Sequence, residues 1–304
     1  MTVTVIVPAW NAADTLGRTL DALSRQRLDE PFEVVVVDNG SSDGTASVLE
    51  GVPGSVRVVR REEHGLAGEA RNDGVTAARG EILAFTDADC FPREDWLASG
   101  LRALRAGADL VQGRVVPDGA VTMGPFDRAL WVSADDGLYQ TANLFVRRSV
   151  FEAAGGFEDP IDDPLAAPFG EDVLLGWRAR RAGARSAFCE SAVVEHAVRG
   201  RGPLGYVRAR SGAAGFPMLV ERVPELRRTR LVAGLFLSRR SLEFDLALLG
   251  AAAAAVRRSP MPLALAAPYA RTIARRSLES GLRRAPLVAP VEVAADVVTL
   301  AALL

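Results

Sequence analysis

The chain has 304 residues, 49% hydrophobic and 24% charged, which suits one large folded domain with an appendage and excludes a disordered protein. Its formal charge of −2 hides an asymmetry: residues 1–196 carry 19 Arg against 31 acids, and residues 197–304 carry 17 Arg against 7. There is no Lys, which excludes Schiff-base and pyridoxal chemistry, the P-loop, and any kinase or phosphatase that needs a catalytic Lys.

Two cysteines, Cys90 and Cys189, allow at most one bridge and stand in no metal-site spacing with His, so a reduced, cytoplasmic setting is expected. Met1 to Pro8 has no basic residue before its apolar run and reads as a buried strand, not a signal peptide. Val3 to Val7 is the first strand, and Asp14 is a candidate N-cap for a helix carrying Leu16, Leu20 and Leu23. Glu33 to Val37, nearly all Val, has the composition of a parallel strand buried on both faces. Val56 to Val59 and Ile82 to Thr86 predict further strands; Ala67 to Arg79 and Glu94 to Arg105 predict helices. The alternation predicts an α/β fold, a mostly parallel sheet with helices on both faces, whose ligands sit at the carboxyl ends of the strands.

After about residue 110 the order loosens. Leu110 to Val115 and Asn143 to Val146 predict strands, Asp159 to Phe169 a polar loop, and Asp172 to Ala182 a helix ended by Gly183. Beyond His196, Arg, Ala, Leu and Pro dominate. A catalytic domain over 1–225, with halves meeting near 110, and a basic helical region over 226–304 are expected. The longest apolar run, Leu246 to Val256, is far short of the roughly 20 residues that span a bilayer, so no transmembrane helix is expected.

Three strand ends carry polar motifs: Pro8-Ala9-Trp10-Asn11, Asp38-Asn39-Gly40-Ser41-Ser42-Asp43-Gly44-Thr45, and Asp87-Ala88-Asp89. No GxGxxG follows the first strand, so a dinucleotide-binding reading loses its main support. Asp38 at a strand tip can accept hydrogen bonds from a ribose or nucleobase, while Ser42 and Asp43 suit a helix-capping turn. Carboxylates at Asp87 and Asp89 can converge on one hard cation, which would offset a diphosphate.

These motifs, with Ala70-Arg71-Asn72-Asp73-Gly74, Gly155-Gly156-Phe157 and Gly170-Glu171-Asp172, resemble in order those of a family 2 glycosyltransferase over roughly residues 1–200. The resemblance implies a GT-A fold and an inverting enzyme that moves a sugar from a nucleotide-diphosphosugar, UDP-sugars favoured, to an acceptor hydroxyl. It places Pro8, Ala9, Trp10, Asn11, Asp38 and Arg71 around the nucleotide, and Asp87 at ribose or metal. Asp89 and His196 would bind a divalent cation, Mn2+ or Mg2+. Asp172 would be the general base, with Glu171 and Asn143 near the acceptor. Trp10 stands where Tyr or Phe is usual, and Asn39 where a second acid is common. His64 reads as an ordinary loop residue, and Asp135-Asp136 and Asp162-Asp163 as surface loop acids. Trp131, Tyr139, Phe169 and Trp177 could stack on a sugar or belong to the core.

A sugar-nucleotide nucleotidyltransferase would want a Gly-rich phosphate loop and usually a Lys. A catalytically silent nucleotide-binding module would not need Asp87, Asp89, Asp172 and His196 together. A processive synthase would carry Gln-x-x-Arg-Trp and spanning helices. The expected acceptor is a saccharide, a lipid-linked compound or another hydroxyl, with no nucleic-acid partner. The pairs Arg239-Arg240, Arg257-Arg258, Arg275-Arg276 and Arg283-Arg284 beside apolar stretches suggest peripheral attachment to an anionic membrane and a role in the cell envelope; a packing or dimerising appendage is the alternative.

Overall fold

The computed structural model describes residues 2–158, 160–163 and 166–304, with the backbone alone for 162, 163, 166 and 167. The chain forms two units: Met1–Thr122, Ala129–Pro160 and Pro168–Val198 make the first, and Met123–Arg128, Ile161–Ala167 and Arg199–Leu304 the second. Residue 225, where composition suggests a division, lies inside the second unit.

The alternation of the sequence appears as β1 (Val3–Ala9), α1 (Ala13–Ser24), β2 (Phe32–Asn39), α2 (Thr45–Glu50), β3 (Val56–Arg61), α3 (Ala67–Ala77) and β4 (Ile82–Phe85). Then come β5 (Cys90–Pro92), α4 (Trp96–Arg105), β6 (Leu110–Pro117), β7 (Leu144–Arg147), α5 (Arg148–Ala153), β8 (Ile161–Asp163), β9 (Ala166–Phe169), α6 (Glu171–Arg181) and β10 (Ser186–His196). One eight-stranded sheet has the order β3-β2-β1-β4-β7-β6-β10-β5; β8 and β9 pair separately. The strands β3, β2, β1 and β4 run parallel, and Val34 to Val37 are buried because helices cover both faces there. β7 runs antiparallel to β4 and β6, and β5 antiparallel to β10, so the half beyond β4 is mixed.

Asp14 is not the N-cap of α1. Ala12 holds that position, and the first amides of the helix are satisfied from outside it: Ala12 N donates to Thr45 Oγ1 at 2.8 Å and Ala13 N to Asp43 Oδ2 at 3.2 Å. Asp43 Oδ1 also accepts from Thr45 N at 2.9 Å, so one carboxylate secures the starts of two helices. Trp96 and Phe145 fill the core beneath α4, where a Cβ on Gly100 would meet the Phe145 ring at 2.3 Å. A register shift in β10 between Cys189 and Val193 sets His196 opposite Cys90 of β5.

The second unit is mostly helical: α7 (Pro203–Arg208), α8 (Phe216–Arg222), α9 (Leu226–Thr229), α10 (Arg239–Arg257), α11 (Ala267–Glu279) and α12 (Ala285–Leu303). With 19 residues and a mean hydropathy of 1.7, α12 is by length and composition long and apolar enough to cross a membrane, a feature that the count of uninterrupted apolar residues does not show. Pro290, Glu292 and Asp296 interrupt its apolar run and conceal it in the sequence. Glu292 is 1% exposed and takes ion pairs from Arg240 at 2.5 Å and Arg276 at 2.8 Å; Asp296 accepts from Arg240 at 2.6 Å and from Tyr269 Oη at 2.6 Å. These bonds tie α12 to α10 and α11, and burial among cations holds the Glu292 carboxyl below its ordinary range despite desolvation.

Candidate active site

Strand order reverses its progression between β1 and β4, and the carboxyl ends of β1, β2 and β4 gather there. Ala9 pairs with Asp38, and Ile6 with Phe85 just before Asp87, so the three polar motifs share one sheet edge.

On the β1–β2 side, Trp10 is 52% exposed and stacks on His64 with ring centroids 4.1 Å apart. His64 is therefore part of the site wall, a role invisible in a loop sequence. Asn11 adopts φ 47° and its Oδ1 accepts from Ser42 N at 2.9 Å, closing the turn after β1 onto the turn after β2. Asp38 is buried and accepts from Ser41 N at 3.1 Å. Asn39 Nδ2 donates to Gly65 O at 2.7 Å and its Oδ1 accepts from Gly65 N at 3.2 Å. An acid there could only accept, so Asn39 is the residue that fastens the His64–Gly65 loop.

On the β4 side, Arg71 of α3 is buried; its Nη1 donates to Glu171 Oε1 and its Nη2 to Asp87 Oδ1, each at 2.9 Å. Asp172, next to Glu171 at the start of α6, has its carboxyl pushed up to about 8, first by burial and then by the Glu171 charge. Gly170 at φ 83° turns the chain into that helix, and Arg178 binds the carbonyls of Ala154 and Gly156, setting α6 against the loop before it. Asn72 exchanges two hydrogen bonds with the Phe157 backbone, at 2.8 and 3.1 Å, so Gly155-Gly156-Phe157 is pinned to α3.

His196 Nε2 lies 3.7 Å from Asp89 Oδ1, and its Nδ1 is 2.8 Å from Ala197 O. A carbonyl can only accept, so Nδ1 donates to it and Nε2 is the ring nitrogen that faces Asp89. Two donors each about 2.0–2.2 Å from one cation must lie within about 4.4 Å of each other, and this pair does. Cys90 Sγ lies in the same cluster, but burial and the Asp87 and Asp89 charges push its thiol far above its ordinary value, so it stays protonated.

The family model for glycosyl transferase family 2 matches residues 4–144. The glycosyltransferase AglE of Haloferax volcanii is 32% identical over 215 residues, 66% of this chain and 69% of that protein. The chain belongs to glycosyl transferase family 2. The pre-mycofactocin glycosyltransferase of Mycobacterium tuberculosis is 30% identical over 211 residues, covering 64% of this chain and 42% of that one. The mannosyltransferase PcManGT of Pyrobaculum calidifontis, solved with GDP-Man and Mn2+, superimposes with TM-score 0.65 over 98% of this chain and 86% of its own, at 24% identity. TarS of S. aureus, solved with UDP-GlcNAc, does so with TM-score 0.55 over 99% and 90%, at 17% identity. These likenesses bear on the fold, which is GT-A.

Several residues of this glycosyltransferase stand elsewhere than expected. Asn143 is fully buried; its Oδ1 accepts from Trp96 Nε1 and its Nδ2 reaches the carbonyls of Arg114 and Ala192, all at 2.8 Å. Its amide is a strut between β6, α4 and β10, and the acceptor contact expected of it is corrected. Arg71 spends both Nη groups on carboxylates, so it organises acids, and among the described residues its buried Nε has no hydrogen-bond partner. Tyr139 and Trp177 are core residues, with Trp177 Nε1 donating to Gly137 O at 2.9 Å. Trp131 is exposed and Phe169 half-buried. Asp135 and Asp136 cap their own turn through Gly137 N and Leu138 N. Asp159 and the side chains of Asp162 and Asp163 lie outside the described residues. Sequence reasoning missed the Arg18–Asp118 ion pair, which joins α1 to the buried Asp118 just after β6.

Proposed function

We propose that this family 2 glycosyltransferase moves a sugar from a nucleotide-diphosphosugar, UDP-sugars first, to an acceptor hydroxyl in a single inverting displacement. The observation that carries the reading is the chain Asp87–Arg71–Glu171, which fastens the Asp-x-Asp end of β4 to the N-terminus of α6, where Asp172 stands. The complexes of PcManGT with GDP-Man and Mn2+ and of TarS with UDP-GlcNAc support the donor class.

Pro8, Ala9, Trp10, Asn11 and Asp38 surround the nucleoside, Trp10 offering a face that His64 stiffens. Asp89 and His196 hold the divalent cation, with Asp87 beside them; the carboxylates suit Mn2+ or Mg2+, and the imidazole favours Mn2+ of the two. Bound there, the cation offsets the charge of the diphosphate, for which this chain has no Lys. Asp172 takes the proton of the acceptor hydroxyl as that oxygen bonds to the anomeric carbon and the bond from this carbon to the diphosphate oxygen breaks, releasing the nucleoside diphosphate. A carboxylate of raised pKa is a stronger base, and Glu171, whose charge helps raise it, sits beside it in an ion pair with Arg71. A panel of nucleoside diphosphates with Mn2+ or Mg2+, read by thermal shift, tests the donor half: one diphosphate should raise Tm only with the metal. No shift with any pair would overturn it.

A further inference from the structure

The sequence places five Arg pairs in the basic half of the chain, and the transfer reaction uses none of them. Two of the pairs meet in space. Arg239 and Arg240 at the start of α10, with Arg271, Arg275 and Arg276 on α11, line a cavity of about 820 Å3 whose lining holds one carboxylate, Glu243. The acids that face these cations are named by their bonds. Glu243 pairs with Arg239 at 3.1 Å and accepts from Thr272 Oγ1 at 2.7 Å. Glu292 and Asp296 of α12 are taken by Arg240 and Arg276. Arg275 has Glu279 at 3.5 Å, both side chains more than 60% exposed, a pairing worth little in water. Arg271 is exposed, and among the described residues no acid lies within ion-pair distance of it.

One residue back along the same helix the chemistry changes. Ala270, Ala274 and Leu278 share a groove of about 550 Å3 with Ala289 and Val293 of α12. A step of one residue is about 100° of helix rotation, so α11 shows a cationic cavity along 271, 275 and an apolar groove along 270, 274, 278. Leu278 is 59% exposed and Leu282, just past the helix, 80%. Guanidinium groups without full compensation beside open apolar surface match a molecule that is anionic at one end and apolar at the other.

We propose that α11 carries an anionic phospholipid site: Arg271 and Arg275, backed by Arg239, receive the head-group phosphate, and the groove along Ala274 and Leu278 receives acyl-chain surface. Charge complementarity selects the lipid's phosphate, and the adjoining groove selects a lipid over a soluble phosphate ester. The site is independent of the transfer chemistry, since none of its residues belongs to the catalytic unit.

Flotation of the full chain with phosphatidylglycerol–phosphatidylcholine vesicles, against phosphatidylcholine alone, tests the site. The wild type should float with the anionic vesicles alone. R271Q/R275Q should lose about tenfold or more of that binding, whereas R227Q/R228Q, which removes the same charge from α9, should keep it. L278S should weaken binding with every Arg retained. All these side chains are exposed, and matched Tm values confirm that the variants fold. Absence of flotation, or equal loss in the two double variants, would overturn the proposal. So would glycerol 1-phosphate raising Tm while vesicles fail to bind, which would make the cavity a site for a soluble phosphate ester.

Discussion

Arg71 and Glu171, one hundred positions apart in sequence, meet at 2.9 Å, and the second Nη of the same guanidinium meets Asp87 at 2.9 Å. Two parallel donors on a planar fork let one side chain hold two carboxylates that would otherwise repel across the cleft. Truncation in R71A leaves both acids unpaired and should cost about 3–5 kcal/mol of stability. R71K keeps the charge but cannot span both partners, so it should fold and lose about 10- to 100-fold in turnover. Thermal unfolding and steady-state kinetics on the two variants separate the effects; wild-type turnover in R71K would refute the bridging role.

The Asp172 carboxyl titrates near 8 in the folded chain, so the base form accumulates as pH rises, and kcat/KM should climb up to about pH 8 and then level. Stability runs the other way. A carboxyl whose folded pKa is raised keeps a proton that the unfolded chain has released, so the fold loses stability as pH rises from the ordinary carboxylate range to about 8. D172N removes that loss. Its Tm should exceed the wild type's at pH 9 and approach it at pH 5. Equal Tm differences at the two pH values would show that Asp172 is not held protonated.

Asp89 and His196 are placed to share a cation. Both D89A and H196A should abolish the thermal shift that Mn2+ gives in the presence of a nucleoside diphosphate, and EDTA should remove activity reversibly. Full activity in EDTA would contradict the metal assignment.

Glu292 is buried between Arg240, Arg276 and Tyr206 Oη, and its carboxyl is held below the ordinary range. Its stabilising effect is therefore present above the unfolded-state pKa and lost as pH falls through the lower folded value. E292Q should lower Tm at pH 7 by an amount equivalent to about 3–5 kcal/mol and flatten acid unfolding. An unchanged Tm would show that α12 is held by its apolar contacts alone.

The parallel half of the sheet was legible because Val3 to Val7, Glu33 to Val37 and Ile82 to Thr86 are short apolar runs with polar motifs at one end, and such runs have one stable arrangement. The reversal of β7 and β5 was not, because strand direction there depends on pairings distant in the chain. Asp172 and Glu171 were legible as a pair, but the partner of Glu171 was not, since an Arg next to Asn72 reads the same whether it faces nucleotide or carboxylate. Asn143 shows the opposite limit: a polar residue at a strand end looks like a ligand contact until Trp96 is seen to take its oxygen. Glu292 hid α12 because a charged residue lowers a hydropathy run whether or not a guanidinium neutralises it.

The most direct test of the account is donor binding and transfer measured side by side in D172N. A base acts on the acceptor hydroxyl, so the variant should bind the nucleoside diphosphate with its metal as the wild type does, with transfer reduced at least 10²-fold, the low end of about 10²–10⁴-fold for general-base catalysis, and with the wild-type product inverted at the anomeric carbon. Loss of nucleotide affinity in proportion to turnover, or a retained configuration in the wild-type product, would contradict it.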